Sequence, residues 1–324
     1  MTVLVTGGAG YIGSHVALAL LDRGERVVIL DDLSTGVPRC IPGAATFIRG
    51  DVGDAPLVLD LLHAHAINSI IHLAGSIVVS ESIAQPLAYY RNNTVNSRTL
   101  IEAAIHARVR HFIFSSTAAV YGQPATLTVD ETAPLAPISP YGASKMMVEL
   151  MLRDAARAHD LRYVALRYFN VAGADPVGRS GQSTPQATHL IKIACETALG
   201  KRPLIEVFGI DYPTADGTCI RDYIHVTDLA EAHVAALAYL RGGGASDVFN
   251  CGYGRGYSVL EVITAVKRAC GQDLPVRPAP RRPGDPAALI AATDKLRQAL
   301  GRTHSHNDLD DIVRHALAWE RANS

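Results

Sequence analysis

Along the first half of the chain, apolar runs of strand length alternate with longer stretches whose apolar residues recur every three or four positions. Residues 3–6, 26–30, 69–73, 112–115 and 163–168 read as strands buried on both faces, with helices such as 13–23 and 96–107 between them. A βαβα rhythm of this kind predicts an α/β fold: a parallel, doubly wound sheet whose crossover helices cover both faces. Ligands of such sheets sit at the carboxyl ends of the strands.

Past residue 170 the texture changes. Residues 172–185 are rich in Gly, Pro and Ser and read as loop, shorter elements follow, and further breaks come at Gly242-Gly243-Gly244 and in the Pro/Arg stretch 277–286. This divides the chain into a first domain, 1–170, and a smaller C-terminal substrate domain, 171–324. The apolar runs 223–226 and 248–250 are candidates to return to the main sheet. Residues 309–322 read as a closing amphipathic helix.

Charge narrows the partners. Thirty basic residues meet thirty-one acidic ones, for a formal charge of −1. A nucleic-acid partner is not expected from that balance, whereas a small anion held by a few arginines is compatible with it. The five cysteines, Cys40, Cys195, Cys219, Cys251 and Cys270, are odd in number and widely spaced, which argues against a disulfide framework or a metal site. No uncharged apolar stretch approaches the roughly 18–20 residues of a membrane span, and the N-terminus opens directly into a strand-like run. A cytoplasmic protein is the expectation, with free thiols suited to a reducing compartment.

The chemistry begins at Thr6-Gly7-Gly8-Ala9-Gly10-Tyr11-Ile12-Gly13, between the first strand and the first helix. The run satisfies G-x-G-x-x-G from Gly8 and G-x-x-G-x-x-G from Gly7. Glycines there allow a tight turn, close approach to a pyrophosphate and close helix–strand packing, and the helix N-terminus offers free N–H groups. Asp31 ends the second strand, 18 residues after Gly13, where a carboxylate would meet the adenosine ribose. With Asp32 beside it, a 2′-phosphate would be repelled, so the Rossmann-type site is read for NAD. Asp51-Val52 and Leu73-Ala74-Gly75 end the next strand-like segments and are placed on the same rim.

A second constellation is Pro140-Tyr141-Gly142-Ala143-Ser144-Lys145, which opens a helix and sets Lys145 four residues after Tyr141 on one face. A free tyrosine ionises near pH ~10, too high for an efficient base at neutral pH; a neighbouring ammonium and a nicotinamide cation would both favour the phenolate. The pair suits removal of an alcohol proton while hydride leaves the carbon. Phe114-Ser115-Ser116-Thr117 ends the fifth strand and brings hydroxyls to the rim. A strand-end capping role accounts for Ser115, while Thr117 is placed to bond both the reacting oxygen and Tyr141.

Together these segments resemble the extended short-chain dehydrogenase/reductase family, and within it the UDP-glucose 4-epimerase group. The resemblance runs through VTGGAGYIGSH at 5–15, AYYRNN at 88–93, FIFSSTAAVYG at 112–122, SPYGASK at 139–145 and LRYFN at 166–170. FGIDYPTADGT at 208–218, IRDYIHVTDLA at 220–230 and RRPGD at 281–285 continue it. The resemblance implies reversible oxidation at C4 of a UDP-hexose, with Tyr141 as base, Lys145 and Thr117 beside it, and NAD staying bound through the cycle. It implies cofactor contacts from Gly7, Gly10, Tyr11, Ile12, Gly13, Asp31, Asp51, Val52, Leu73, Ala74, Gly75, Asn93, Tyr141, Lys145 and Tyr168. Asn170, His189, Phe208, Arg221, Arg282, Asp285 and Leu289 would face the UDP-sugar, together with Thr117 and Tyr141. It further implies a homodimer through helices including 92–106 and 145–159.

The chain also departs from the family pattern. Ile77 occupies a loop position where lysine is common, and His189 stands where an asparagine often meets the substrate phosphates. Leu289 replaces a bulky tyrosine, which would leave room for an N-acetyl group. Ala118-Ala119 follows Thr117 where sugar-nucleotide dehydratases carry Asp-Glu, and alanine transfers no protons, so dehydration is disfavoured. UDP-glucuronate and UDP-pentose epimerases remain open on these residues, as does a non-catalytic NAD-binding regulator, which would need neither Thr117, Tyr141 nor Lys145.

Overall fold

The structure is a computed structural model that describes every residue except 186, 283, 302, 303 and 324. In chain order the strands are β1 (Thr2–Thr6), β2 (Arg26–Asp31), β3 (Thr46–Arg49), β4 (Ser69–His72), β5 (His111–Thr117), β6 (Thr128–Val129) and β7 (Arg162–Tyr168). They continue with β8 (Asn170–Ala172), β9 (Ile205–Phe208), β10 (Ile220–His225), β11 (Asp247–Cys251), β12 (Gly256–Ser258), β13 (Val276–Ala279) and β14 (Ala288–Ala291). The α-helices are α1 (Tyr11–Leu21), α2 (Ala55–Ala64), α3 (Val79–Ala84), α4 (Pro86–Tyr89), α5 (Asn96–His106), α6 (Pro140–Ala158), α7 (Leu190–Ala198), α8 (Val226–Arg241), α9 (Val259–Cys270), α10 (Asp294–Leu300) and α11 (Leu309–Ala322).

Seven parallel strands form the main sheet in the order β11-β7-β5-β4-β1-β2-β3. The order reverses between β1 and β4, which opens a crevice above their carboxyl ends. Alternate residues of one strand feed opposite cores. Val3 and Val5 pack with α1 and α8, whereas Leu4 packs with α2, α5 and α6. The predicted Rossmann-type doubly wound sheet is therefore present, and its strands read as continuous apolar runs because both faces are covered.

Of the two late apolar runs expected to rejoin this sheet, only one does. β11 pairs with β7 from Asp247↔Val164 to Cys251↔Tyr168. Residues 223–225 do not: β10 pairs parallel with β8 and β14 and antiparallel with β12, in a second sheet ordered β12-β10-β14-β6. The open edge of β7 is already taken by β11, so the edge left to β10 is that of β8, which begins after the chain turns at Phe169. Val226 opens α8, which lies back on the first core through Leu229, Ala236 and Leu237. The stretch read as a loop from 277 likewise starts inside a strand, since β13 pairs with β9 despite its exposed, polar-rich pattern.

A third core joins α7, α9 and α11 through Ile191, Val262, Ile312 and Leu317. The closing helix α11 is fastened by a cluster of histidines. His225 accepts from the Thr227 N–H at 3.0 Å through Nδ1 and shares its Nε2 proton with His315 at 3.0 Å, while the His306 ring lies 4.6 Å away. Among the described residues, no helix is long and apolar enough to cross a membrane, and no His/Cys/Asp/Glu cluster is arranged to hold a metal ion.

Four buried histidines make this fold acid-sensitive. Burial lowers His15 and His233 to about 4, His72 to about 3 and His225 to about 2. Below roughly pH 6.5 the unfolded chain protonates these imidazoles while the folded one does not, so unfolding takes up protons and stability falls with falling pH. Asp222, pushed up to about 6 by burial, acts in the opposite direction but is outnumbered. Denaturant midpoints measured at pH 7.5 and 5.0 should drop on acidification; an unchanged midpoint would contradict four neutral buried rings.

Candidate active site

The rim above the crevice is built from strand ends. β1 runs into Gly7 at φ +70°, a conformation glycine adopts without strain, and Gly10 caps α1. A Cβ on Gly13 would stand 2.1 Å from the Gly7 carbonyl, and one on Gly7 would stand 2.7 Å from the Ala74 nitrogen. The loop is thus a cradle that side chains would fill, beneath the unpaired N–H groups of Tyr11, Ile12 and Gly13 in the first turn of α1. Asp31 accepts from the Ala9 N–H at 2.9 Å and the Leu33 N–H at 2.8 Å, so it braces the loop as well as facing the rim. Burial raises its pKa, and those two backbone bonds oppose the shift.

These residues fit a dinucleotide: backbone donors and space for the phosphates, and a carboxylate at the end of β2 for the ribose. Tyr11 contributes through its backbone, because its hydroxyl donates to the Gly173 carbonyl at 2.7 Å. Asp51 lies exposed on the same rim, accepting from Gly53 and Asn96, while the Val52 side chain turns into the core. Leu73 and Ala74 follow β4 and flank the glycine loop, with the Leu73 N–H donating to the Thr6 carbonyl at 3.1 Å.

Around Gly75 the two halves of the proposed machinery meet. A Cβ there would come 2.9 Å from Asn93 Oδ1 and 3.5 Å from Lys145 Nζ. Asn93 sits in a π-helical turn, Tyr90–Val95, and its amide is fully used: it accepts from the Ser76 N–H and donates to the Ser76 carbonyl and Ser144 Oγ. Its work is to hold the loop after β4 against α6, and its side chain has no donor left for a ligand.

Helix α6 begins where Ser139 caps the Gly142 N–H and Pro140 takes the first turn, a position that needs no backbone donor. Tyr141 and Lys145 are both buried on the face that meets β5. Burial pushes the Tyr141 phenol up, and the neighbouring Thr117 hydroxyl opposes the shift. Thr117 also caps the turn behind it, accepting from the Ala119 N–H at 3.1 Å. Lys145 donates to the Ser115 carbonyl at 3.1 Å, lies 5.1 Å from the centre of the Phe114 ring, and is lowered to about 8 by burial. At this depth desolvation, which disfavours the charged form, is the largest influence on both side chains. Tyr168 is tied to Ser115 Oγ and pushed up by burial, so it remains a phenol.

The residues expected to face the substrate are drawn together from segments far apart in sequence. Arg221 on β10 lies 3.6 Å from Asp285 and is in register with Leu289 on β14. The Arg282 guanidinium lies 3.9 Å from the centre of the Phe208 ring. Asn170 and His189 line one cavity with Tyr11, Gln182 and Tyr223, which links the phosphate loop to the substrate side. His189 caps α7 within 3.5 Å of Gln182, and burial lowers its pKa. Leu289 is 9 % exposed and packs in an apolar cluster with Ala118, Tyr121 and Phe169. Gln182 and Ser144 had no signal in the sequence, because their partners lie in other loops and helices.

Residues 3–252 match the NAD dependent epimerase/dehydratase family. The chain belongs to that family. The UDP-glucose 4-epimerase of Azospirillum brasilense is 58% identical over 320 residues, covering 99% of this chain and 92% of the relative. A structure of the UDP-glucose 4-epimerase from Brucella ovis in complex with NAD superposes with a TM-score of 0.95 at 44% identity, covering 98% of this chain and 97% of that one. The UDP-Glc/GlcNAc 4-epimerase of Campylobacter jejuni is 48% identical with a TM-score of 0.87, and each chain covers 99% of the other. As an NAD-dependent epimerase/dehydratase, the chain keeps the glycine cradle, the Tyr–Lys pair and the rim threonine in one cleft.

Gly13→Ala places a methyl group against the Gly7 carbonyl and should weaken NAD binding by on the order of tenfold or more. Cofactor content of the purified variant checks this; full occupancy would show that the cradle is not the phosphate site.

Proposed function

We propose that the chain interconverts the C4 epimers of a UDP-hexose, UDP-glucose and UDP-galactose, by transient oxidation to a 4-keto sugar. The observation that carries this reading is the meeting of Tyr141 with Thr117, beside Lys145 at Gly75, in a cleft whose far wall holds Arg221, Arg282, Phe208 and Asp285. Bound NAD supplies the hydride acceptor and donor at C4. Tyr141 Oη takes the C4 hydroxyl proton and returns it, with Thr117 orienting that oxygen. Lys145 lends positive charge to the phenolate. Arginine forks on the far wall suit a diphosphate, the Phe208 ring suits a base, and Asp285 suits ribose hydroxyls. Firm anchorage there leaves the sugar free to turn between hydride transfers.

Dehydration is disfavoured by the surroundings of Thr117. Ala118 points into the apolar cluster with Leu289 and Phe169, so the adjacent position offers no acid or base for eliminating water. Leu289 belongs to the same cluster, and its smaller bulk where a tyrosine is common in the family favours an N-acetylated hexose as a second substrate. UDP-glucuronate and UDP-pentoses belong to the same class and are tested with it.

Incubation with a panel of UDP-sugars, without added NAD, should yield C4-inverted product from UDP-glucose and from UDP-N-acetylglucosamine. Undetectable N-acetyl turnover would remove the second substrate, and no turnover of any sugar would favour a non-catalytic NAD-binding regulator. Tyr141→Phe should lower kcat by roughly 10²–10⁴-fold while NAD stays bound; full turnover in that variant would overturn the base assignment.

The exposed apolar side chains Val95, Met147 and Leu150 support a homodimer through 92–106 and 145–159. Sedimentation equilibrium should give a dimer mass, and Leu150→Glu should shift it toward monomer; a monomeric parent protein would end that reading. Five free thiols, four of them buried, suit a reducing cytoplasm.

A further inference from the structure

Behind the cleft lies a buried ionic network that the proposed chemistry does not use. Glu149 is one turn past Lys145 on α6, so Tyr141, Lys145 and Glu149 form a single stripe at four-residue spacing. The Glu149 and Arg167 side chains are each 5 % exposed. Arg167 Nε donates to both carboxylate oxygens, at 2.9 and 3.2 Å, and Nη2 donates to Oε2. Ser116 Oγ donates to Glu149 Oε1 as well. Arg167 Nη1 reaches the Tyr121 hydroxyl at 3.0 Å, which donates to Asn250 Oδ1 at 2.6 Å.

Two members are chain neighbours of residues at the rim. Ser116 precedes Thr117, Arg167 precedes Tyr168, and Ser116 and Arg167 are partners in register on β5 and β7. Tyr121 lies in the 3-10 turn that Thr117 caps. Burying two charges is costly, and an apolar pair of the same volume commonly serves stability as well. What the ion pair adds is direction. A bidentate guanidinium–carboxylate contact fixes two planes and a distance, whereas apolar packing lets a helix slide and roll.

We propose that the Glu149–Arg167 pair, with Ser116, is the positioning device that sets α6 against β5 and β7 and so brings Tyr141 and Lys145 to Thr117. The proposal rests on the epimerase reading for its kinetic consequence only. Glu149 and Arg167 are positioning residues, acting through α6 and the strand ends without touching the reacting atoms.

The test is the double variant Glu149→Leu/Arg167→Met, which exchanges the ion pair for apolar volume. The expected result is an unchanged or higher thermal midpoint, NAD content and KM for UDP-glucose within about twofold of the parent, and kcat lower by about 10–100-fold, the order that a 1 Å misplacement causes. Its crystal structure should show the Lys145 Nζ contact to the Ser115 carbonyl, 3.1 Å in the parent, lost. Parent-level kcat, or an intact contact, overturns the proposal. Should the double variant fail to fold, Ser116→Ala decides, since it removes one bond and keeps the ion pair: a fall in kcat at constant KM supports the proposal, and an unchanged kcat overturns it. If the parent protein turns over no UDP-sugar, the functional reading fails by itself, and the structural comparison still decides the positioning role.

Discussion

A sheet covered by helices on both faces can present polar chemistry only where its strands end. Most strands of the main sheet are buried in that way, and many of the residues proposed for the cofactor and the chemistry lie at or just past a carboxyl end: Gly7 after β1, Asp31 at the end of β2, Asp51 after β3, Leu73 after β4, Thr117 at the end of β5 and Tyr168 at the end of β7. Reversal of strand order between β1 and β4 parts the crossovers there, so a long ligand can lie across the rim with helix N-termini toward it. The catalytic tyrosine and lysine are placed by the same constraint, since α6 starts beside this rim and runs down one face.

The two halves of the chain are less separable than a cut at residue 170 implies. β11 completes the main sheet and α8 covers one of its faces, although both follow residue 220. The phosphate-loop helix is tied to the segment after β8 by three contacts: Tyr11 to the Gly173 carbonyl, Ser14 to Ser180, and Arg179 to Asp22. Removing the second half would expose the apolar surface around Val5, Ile113 and Leu166. The second half is therefore built on the first as a continuation of it, and Asn170 and His189 line one cavity with Tyr11.

Much of this was legible before any coordinates. The five apolar runs, the glycine loop with Asp31, the Tyr141–Lys145 spacing and the closing helix at 309–322 are local signals, each set by side-chain periodicity or by a turn that few residues can make. What misled was non-local. The run at 223–226 has the composition of a main-sheet strand, yet β11 takes the place beside β7, and no property of residues 223–226 could reveal that competitor. Asn93, placed at the cleft by resemblance, has both amide donors engaged by Ser76 and Ser144, partners that its local sequence does not reveal. The strand at Val276–Ala279 was hidden because its partner, β9, gives it hydrogen bonds without burial.

By itself, the sequence determined the fold class, the NAD loop, the redox pair and the absence of a proton-transfer pair after Thr117, because each depends on residue identity at short separation. Only the tertiary structure decided which distant groups share a space. It put Arg221 beside Asp285, Arg282 over Phe208, His189 in the cavity with Tyr11, and Leu289 against Ala118. It also set the environment of the Tyr–Lys pair, where burial raises the Tyr141 phenol and lowers the Lys145 ammonium. Desolvation and long-range packing are properties of the whole fold, and no window of sequence carries them.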